Sequence, residues 1–147
     1  MMDTSQTAVA APDDSASGSR AGMKSILLVD DNPWIRDAVA ARLMEQLDDV
    51  VVTAAGSGRE AFDIVMNRPV DMLITEVDLP GMDGYELIGQ ARRQRPGMPI
   101  VVTTDDCSRK VVELLKSLGV NRWIEKPFDG KTITAAVRTE LGGLDGR

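Results

Sequence analysis

Residues 71–84 read DMLITEVDLPGMDG and combine a short apolar run with carboxylates and turn residues. Its apolar part, residues 72–75, lacks polar alternation, as does a central parallel strand that is covered on both faces. The run stops at Glu76 and Asp78, and the next residues, 80–84, supply Pro and Gly suited to a turn. A buried strand that ends in carboxylates and turns toward a helix is typical of an α/β protein.

Similar short apolar runs lie on either side of this strand and alternate with helical patterns. Further strands are predicted at residues 25–29, 50–54, 100–103 and 122–124. Helices are predicted at residues 33–46, 57–67, 85–95, 108–118 and 131–141. A Gly-Ser-Gly sequence at residues 56–58 weakly resembles a phosphate loop, but Ser57 with Glu60 is better explained as a capping box. Five strands alternating with five helices predict right-handed crossovers and a sheet covered on both sides.

Length and composition describe one globular domain with short ends. The chain has 147 residues, of which 43% are apolar and 27% charged. Residues 1–23 contain almost no large apolar side chain, so we expect a disordered N-terminal tail. The folded domain is expected at residues 24–141, followed by a flexible, Gly-rich end at 142–147.

Several function classes are excluded by composition. The formal charge of −6 argues against nucleic-acid binding, which depends on Lys and Arg. No apolar run approaches the roughly 20 residues of a membrane span, so a cytoplasmic protein that does not bind membranes is expected. The chain has no histidine and one cysteine, Cys107, which excludes an internal disulfide and a Cys/His zinc site. Acidic neighbours disfavour the Cys107 thiolate, so no catalytic role is assigned to it.

Polar side chains follow four of the five predicted strands. They are Asp30, Asp31, Glu76, Asp78, Thr104 and Lys126. Ligands of open parallel α/β sheets bind beyond the carboxyl ends of the strands, where these side chains are expected to meet. Carboxylates with one lysine and one hydroxyl form an acidic pocket suited to a hard divalent cation such as Mg²⁺.

Four motifs together resemble the receiver domain of two-component response regulators. They are VDDN at 29–32, DMLITEVDLPGMDG at 71–84, TT at 103–104 and KPF at 126–128, in order and correctly spaced across residues 24–141. The resemblance implies a doubly wound, flavodoxin-like parallel sheet in the order 2-1-3-4-5, with helices on both faces. It also implies a cis peptide before Pro127. In this family a histidine kinase, with Mg²⁺ bound, phosphorylates an aspartate that ends the third strand.

The resemblance also implies metal ligands at matching positions. Asp31, the third-strand carboxylate of Glu76 and the backbone carbonyl of Asp78 would bind Mg²⁺, and Asp30 would act through water.

Switch residues and a binding surface are carried over in the same way. Lys126 would contact phosphoryl oxygens, Thr104 would hydrogen-bond them and report occupancy, and Trp123 would hold the aromatic switch position. The face from the fourth to the fifth helix would bind a protein partner, either a sensor kinase or an output protein. Trp34 lies outside the apolar stripe of its helix, so partial packing and a partner contact are about equal alternatives. The oligomeric state is left open.

Glu76 departs from the family pattern because it stands where the phosphoryl-accepting aspartate is expected. Its extra methylene moves the carboxylate more than about 1 Å outward, into the space of a phosphoryl group. The longer side chain is expected to reach toward Lys126 and Thr104, either imitating phosphorylation or locking an inert state. Asp105 would additionally repel a phosphoryl donor. A natural loss of the chemistry and a substitution made to imitate phosphorylation remain alternatives for Glu76.

Two functional hypotheses follow. The first is an atypical, stand-alone receiver that signals by protein–protein interaction, independently of aspartyl phosphorylation, and is not an enzyme. The alternative is a Mg²⁺-dependent phosphoryl acceptor in a phosphorelay with residual acceptor and autophosphatase chemistry. A flavodoxin-like FMN binder shares the predicted sheet but is disfavoured by the acidic pocket and an aromatic content of 3%.

Overall fold

The computed structural model describes residues 22–144, where five strands alternate with five helices. The strands are β1 (Lys24–Val29), β2 (Val50–Ala55), β3 (Met72–Glu76), β4 (Ile100–Thr104) and β5 (Arg122–Glu125). The helices are α1 (Pro33–Gln46), α2 (Gly58–Asn67), α3 (Gly84–Gln94), α4 (Arg109–Ser117) and α5 (Gly130–Leu144). Most of the predicted tail, residues 1–21, and residues 145–147 lie outside the described part of the chain.

All strand pairs are parallel and follow the order β2-β1-β3-β4-β5, which confirms the predicted topology. The order reverses between β1 and β3, where a crevice forms beyond the carboxyl ends of the strands. In the register, Val29 lies opposite Thr75, and Glu76 lies opposite Thr103. The residues that follow β1 therefore lie beside the end of β3.

Two apolar layers cover the sheet, one on each face. Leu27 and Val29 point into the layer that contains the buried residues of α2, α3 and α4. Ile26 and Leu28 point into the layer against α1 and α5. Successive side chains of a strand face opposite sides, so an apolar strand without alternation fits only a sheet covered on both faces. None of the helices within residues 22–144 has the length and apolar character required to cross a membrane.

Helix ends follow the predicted caps, with one exception. Ser57 accepts a hydrogen bond from the Glu60 N–H at 3.1 Å, and Gly119 adopts a φ of +81° after α4. The expected cis peptide is present between Lys126 and Pro127. The fifth helix was expected to end at Leu141 but continues to Leu144, so the predicted flexible end is helical as far as residue 144. Two glycines lower helix propensity by only about 1 kcal/mol each, which an established helix tolerates in its last turn.

Gly84 connects the end of β3 to the start of α3. A Cβ atom at this position would overlap the backbone carbonyl oxygen of Glu76 and the Cα of Val77. The Gly84 N–H donates to the Val77 carbonyl at 2.9 Å. Glycine is therefore required where the first turn of α3 packs against the strand that ends in Glu76.

Candidate functional site

The topology brings three carboxylates together at the switch point of the sheet. Asp30 and Asp31 follow β1, and Glu76 is the last residue of β3. One carboxylate oxygen from each of the three lies within 4.8 Å of those of the other two. Asp30 and Glu76 are only 3% and 5% exposed, whereas Asp31 is exposed. The side chain of Asp78 is exposed and outside this group, and the sequence had assigned only its backbone carbonyl to a metal.

Lys126 supplies an ammonium group at the centre of this acidic cluster. Its Nζ lies 2.6 Å from Glu76 Oε1 and 3.5 Å from Asp30 Oδ2. Its backbone N–H donates to the Thr104 carbonyl at 2.8 Å, which places the residue directly beyond β4. Partial burial by itself lowers the pKa of Lys126, but the Glu76 hydrogen bond and the Asp30 and Glu76 charges raise it overall. The ammonium therefore stays protonated and holds both buried carboxylates.

The second oxygen of Glu76 is held by the backbone of the β1–α1 loop. The Asp31 N–H donates to Glu76 Oε2 at 2.8 Å. The hydrogen-bonding contact with Glu76, then burial and the Glu76 charge, raise the pKa of the Asp31 carboxyl, while the Lys126 charge opposes this effect. The Lys126 charge thus does not fully offset the effect of Glu76 and burial on Asp31.

Thr104 is engaged by its own loop. The Thr104 hydroxyl accepts from the Asp106 N–H at 3.0 Å and donates to the Asp106 carbonyl at 3.2 Å. Two partners were expected for Glu76. Glu76 contacts Lys126, whereas the Thr104 hydroxyl donates to the β4–α4 loop instead. The adjacent Asp105 is exposed and lines a cavity of about 650 Å³ together with Lys126.

The two tryptophans differ in exposure. Trp123 on β5 is half-buried and packs against the apolar layer that includes Val111 and Leu115 of α4. Trp34 is 84% exposed at the start of α1, so its partial packing is slight. Cys107 is half-buried, and burial followed by the Glu125 and Asp106 charges raises the pKa of its thiol.

Arg36 is a residue of this site that the sequence interpretation missed. Its Nη1 donates to the backbone carbonyl of Asp30 at 3.1 Å. This places a second positively charged side chain against the loop that carries the acidic pair. The only available signal was a basic residue on the first turns of the helix after that pair, which is common on solvated helices. Asn32, the N-cap of α1, was also overlooked, although Asn is a strongly preferred capping residue.

The donor set is chemically suited to Mg²⁺. Carboxylate oxygens are the hard ligands that this ion prefers, and three of them converge here. The Lys126 ammonium competes for the same oxygens, because it already contacts Asp30 and Glu76.

Comparison with known proteins supports the geometry. The family model for the response regulator receiver domain matches residues 26–138. A CheY homologue of Campylobacter jejuni is 35% identical over 121 residues, which cover 80% of this chain and 92% of the homologue. The transcriptional activator ExaE of Pseudomonas putida is 32% identical over 118 residues, covering 80% of this chain. The chain spans 55% of ExaE and 26% of GlrR, a transcriptional regulatory protein of Escherichia coli.

Solved structures show the same architecture. A CheY-like receiver domain protein from Methanospirillum hungatei aligns with a TM-score of 0.77 and 25% identity, covering 84% of this chain and 98% of that one. The chemotaxis protein CheY4 of Vibrio cholerae aligns with a TM-score of 0.74 and 29% identity, covering 80% and 98%. With the family model matched from β1 to α5 and the sheet in the same order, the chain belongs to the response regulator receiver domain family of two-component signalling.

Proposed function

We propose that this chain is an atypical receiver that signals by binding another protein and does not require aspartyl phosphorylation. One observation carries the proposal: both oxygens of the Glu76 carboxylate are occupied, one by Lys126 Nζ at 2.6 Å and one by the Asp31 N–H at 2.8 Å. In this assignment Glu76 takes the place of the phosphoryl-accepting aspartate, Lys126 and Thr104 keep their family positions, and Trp123 keeps the aromatic switch position.

The steric argument follows from side-chain length. Glutamate is one methylene longer than aspartate, so its carboxylate lies more than about 1 Å farther from the strand. That displacement places the carboxylate between the lysine and the β1–α1 loop, in the space that a transferred phosphoryl group needs. Misplacement on this scale can reduce the rate of an in-line transfer by about 100-fold. A carboxylate carries less charge and fewer acceptor oxygens than a phosphoryl group, so it imitates phosphorylation only in part.

Mg²⁺ remains a proposed ligand of the acidic cluster. Asp31 and Glu76 would hold it directly with the backbone carbonyl of Asp78, and Asp30 would act through water. Bound there, the ion would neutralise part of the carboxylate charge that Lys126 leaves uncompensated.

The proposed partner is a protein that binds the face formed by α4, β5 and α5. Strand β5 is an edge strand, and Trp123 on it is half-buried. Leu114 of α4 is 41% exposed one helical turn after Lys110, and Lys116 is exposed on the same helix. A surface cavity of about 770 Å³ lies between β5 and α5. Exposed apolar side chains, one edge strand and positive charge together suit a partner with an apolar, acidic surface.

The test is phosphorylation by a small donor. Acetyl phosphate with Mg²⁺, followed by intact-mass measurement, would add about 80 Da to a phosphorylated chain. We expect no adduct on the chain with Glu76 and a detectable adduct on Glu76→Asp, which introduces the shorter carboxylate. Glu76→Gln is the matched control because it keeps the side-chain length and removes the charge.

The alternative function predicts a different result. A phosphoryl acceptor with autophosphatase chemistry would give an adduct on the chain with Glu76 that appears and then decays. That result would overturn phosphorylation independence. Absence of an adduct on both the chain with Glu76 and Glu76→Asp would show that other changes, with Asp105 the first candidate, also block transfer.

A further inference from the structure

The peptide bond between Asp30 and Asp31 is held at both of its polar ends. Arg36 Nη1 donates to the Asp30 carbonyl oxygen at 3.1 Å, and the Asp31 N–H donates to Glu76 Oε2 at 2.8 Å. In a planar trans peptide these two groups point in opposite directions. Fixing the carbonyl toward Arg36 therefore aims the N–H at Glu76.

We propose that Arg36 is a positioning residue of the acidic site. Its guanidinium orients the 30–31 peptide so that the Asp31 N–H points into the pocket, at whichever anionic oxygen lies there. In this chain that oxygen belongs to Glu76. The proposal rests on the proposed function only in taking the acidic pocket as the working site.

The remaining groups of Asp30 are already assigned to other partners. Its N–H donates to the Ala55 carbonyl at 3.2 Å, and its Oδ1 accepts from the Asn32 N–H at 2.8 Å. Neither contact holds the Asp30 carbonyl, which faces Arg36. A guanidinium–carbonyl bond is charge-assisted and thus stronger than a neutral one. Without it, only the bond from the Asp31 N–H to Glu76 still holds the peptide plane.

The space that Arg36 occupies is provided by Gly56. The guanidinium lies over this residue, and a Cβ there would lie 2.7 Å from Arg36 Nη1. The Gly56 N–H donates to Glu60 Oε1 at 2.9 Å, which anchors the residue at the start of α2. A methyl group at position 56 would therefore displace the guanidinium while leaving its charge and its donors in the protein.

Loss of this orientation would remove a hydrogen bond from Glu76. Glu76 is 5% exposed, so Oε2 would lose its N–H donor in a place where water has little access. Removing the partner of a buried charged acceptor is costly. The Asp31 amide is therefore a direct reporter of the orientation that Arg36 imposes.

The experiment measures the Asp31 amide by ¹H–¹⁵N NMR, with EDTA present so that no metal contributes. An amide proton bonded to a carboxylate resonates downfield. We expect Arg36→Met to move the Asp31 amide proton upfield and to accelerate its exchange with solvent about 10-fold or more. Gly56→Ala is expected to produce the same change, while Arg36→Lys, which keeps the charge and one ammonium donor group, preserves part of the original signal.

Arg93→Met is the matched control, because Arg93 is an exposed arginine on α3. An Asp31 amide that is unchanged in both folded Arg36→Met and Gly56→Ala would overturn the proposal, as would an equal shift in Arg93→Met. If Arg36→Met does not fold, Gly56→Ala and Arg36→Lys decide the matter alone. Because neither phosphate nor partner is used, a negative result here leaves the phosphodonor test of the proposed function unaffected.

Discussion

Replacing Asp31 by Asn should stabilise the metal-free protein. Asp31 faces two other carboxylates across at most 4.8 Å, a separation at which like charges repel by about 0.9 kcal/mol each in water. Attraction to the Lys126 ammonium and to the α1 N-terminus offsets part of this repulsion, because both favour a negative charge at Asp31. Asp31 is exposed, so solvent screening keeps the net effect small, and we expect a gain of at most about 1 kcal/mol at pH 7.

Equilibrium urea denaturation in EDTA at low salt measures this gain. With a denaturant slope of about 2 kcal/mol per M, the midpoint should rise by at most about 0.5 M. Asp37→Asn, an exposed neutralisation on α1, should leave the midpoint nearly unchanged. Added Mg²⁺ should stabilise the natural chain more than Asp31→Asn, because a ligand stabilises the state that binds it.

The gain should also depend on pH in a defined direction. The pKa of Asp31 is raised in the folded protein, so protonation favours folding. As the pH falls through the raised folded pKa toward 3.8, the usual value, Asp31 becomes protonated and the chain with Asp31 loses the electrostatic cost of this charge. The stability advantage of Asp31→Asn should therefore shrink over the same pH range. A variant less stable than the natural chain at pH 7 in EDTA would refute the electrostatic reasoning.

Three further predictions concern neighbouring positions. Lys126→Met should destabilise the metal-free protein by about 2–3 kcal/mol in urea denaturation, because the buried Glu76 carboxylate loses its ammonium partner; an unchanged midpoint would contradict this. Gly84→Ala should lower the free energy of unfolding by more than about 2 kcal/mol, because its Cβ would meet backbone atoms. The Cβ of Gly89→Ala, on the same helix, meets nothing within 4 Å, so this variant should be more stable by about 0.5–1 kcal/mol; equal effects would contradict the packing argument. The rate at which iodoacetamide alkylates Cys107, measured by mass spectrometry, should still increase above pH 9.0, because burial raises the thiol pKa. A rate that reaches its plateau below that pH would contradict this prediction.

The strands and most helix bounds could be predicted from sequence because each depends on local patterns. Residues 72–75 are apolar on both faces, which only a covered parallel strand accommodates. Ser57 and Gly119 marked a helix start and a helix end through capping rules that act within a few residues. The end of α5 at Leu144 lies beyond the predicted end. Continuation of a helix past two glycines depends on the helix that is already formed, and local propensity does not describe this contribution.

The membership of the acidic site was also predictable, since parallel strands bring their carboxyl ends to one edge. Asp30, Asp31, Glu76 and Lys126 meet there as expected. The roles of Asp78, Thr104 and Trp123 in metal binding and switching remain predictions. The hydrogen bonds of the Thr104 hydroxyl to Asp106 were not foreseeable, because a hydroxyl rotates to whichever partner its loop presents.

The order of elements, the two-sided burial of the sheet and the chemical types at the strand ends could be read from the amino-acid sequence, because they depend on composition and periodicity along the chain. How those groups pair depends on the folded arrangement of the strands and loops. One oxygen of Glu76 faces the Asp31 N–H and the other faces Lys126. These partners lie 45 and 50 residues away from Glu76 in sequence, so their distances are set by the folded chain. The contact of Arg36 with the Asp30 carbonyl likewise depends on the space above Gly56, which exists only once α1 and the end of β2 pack together.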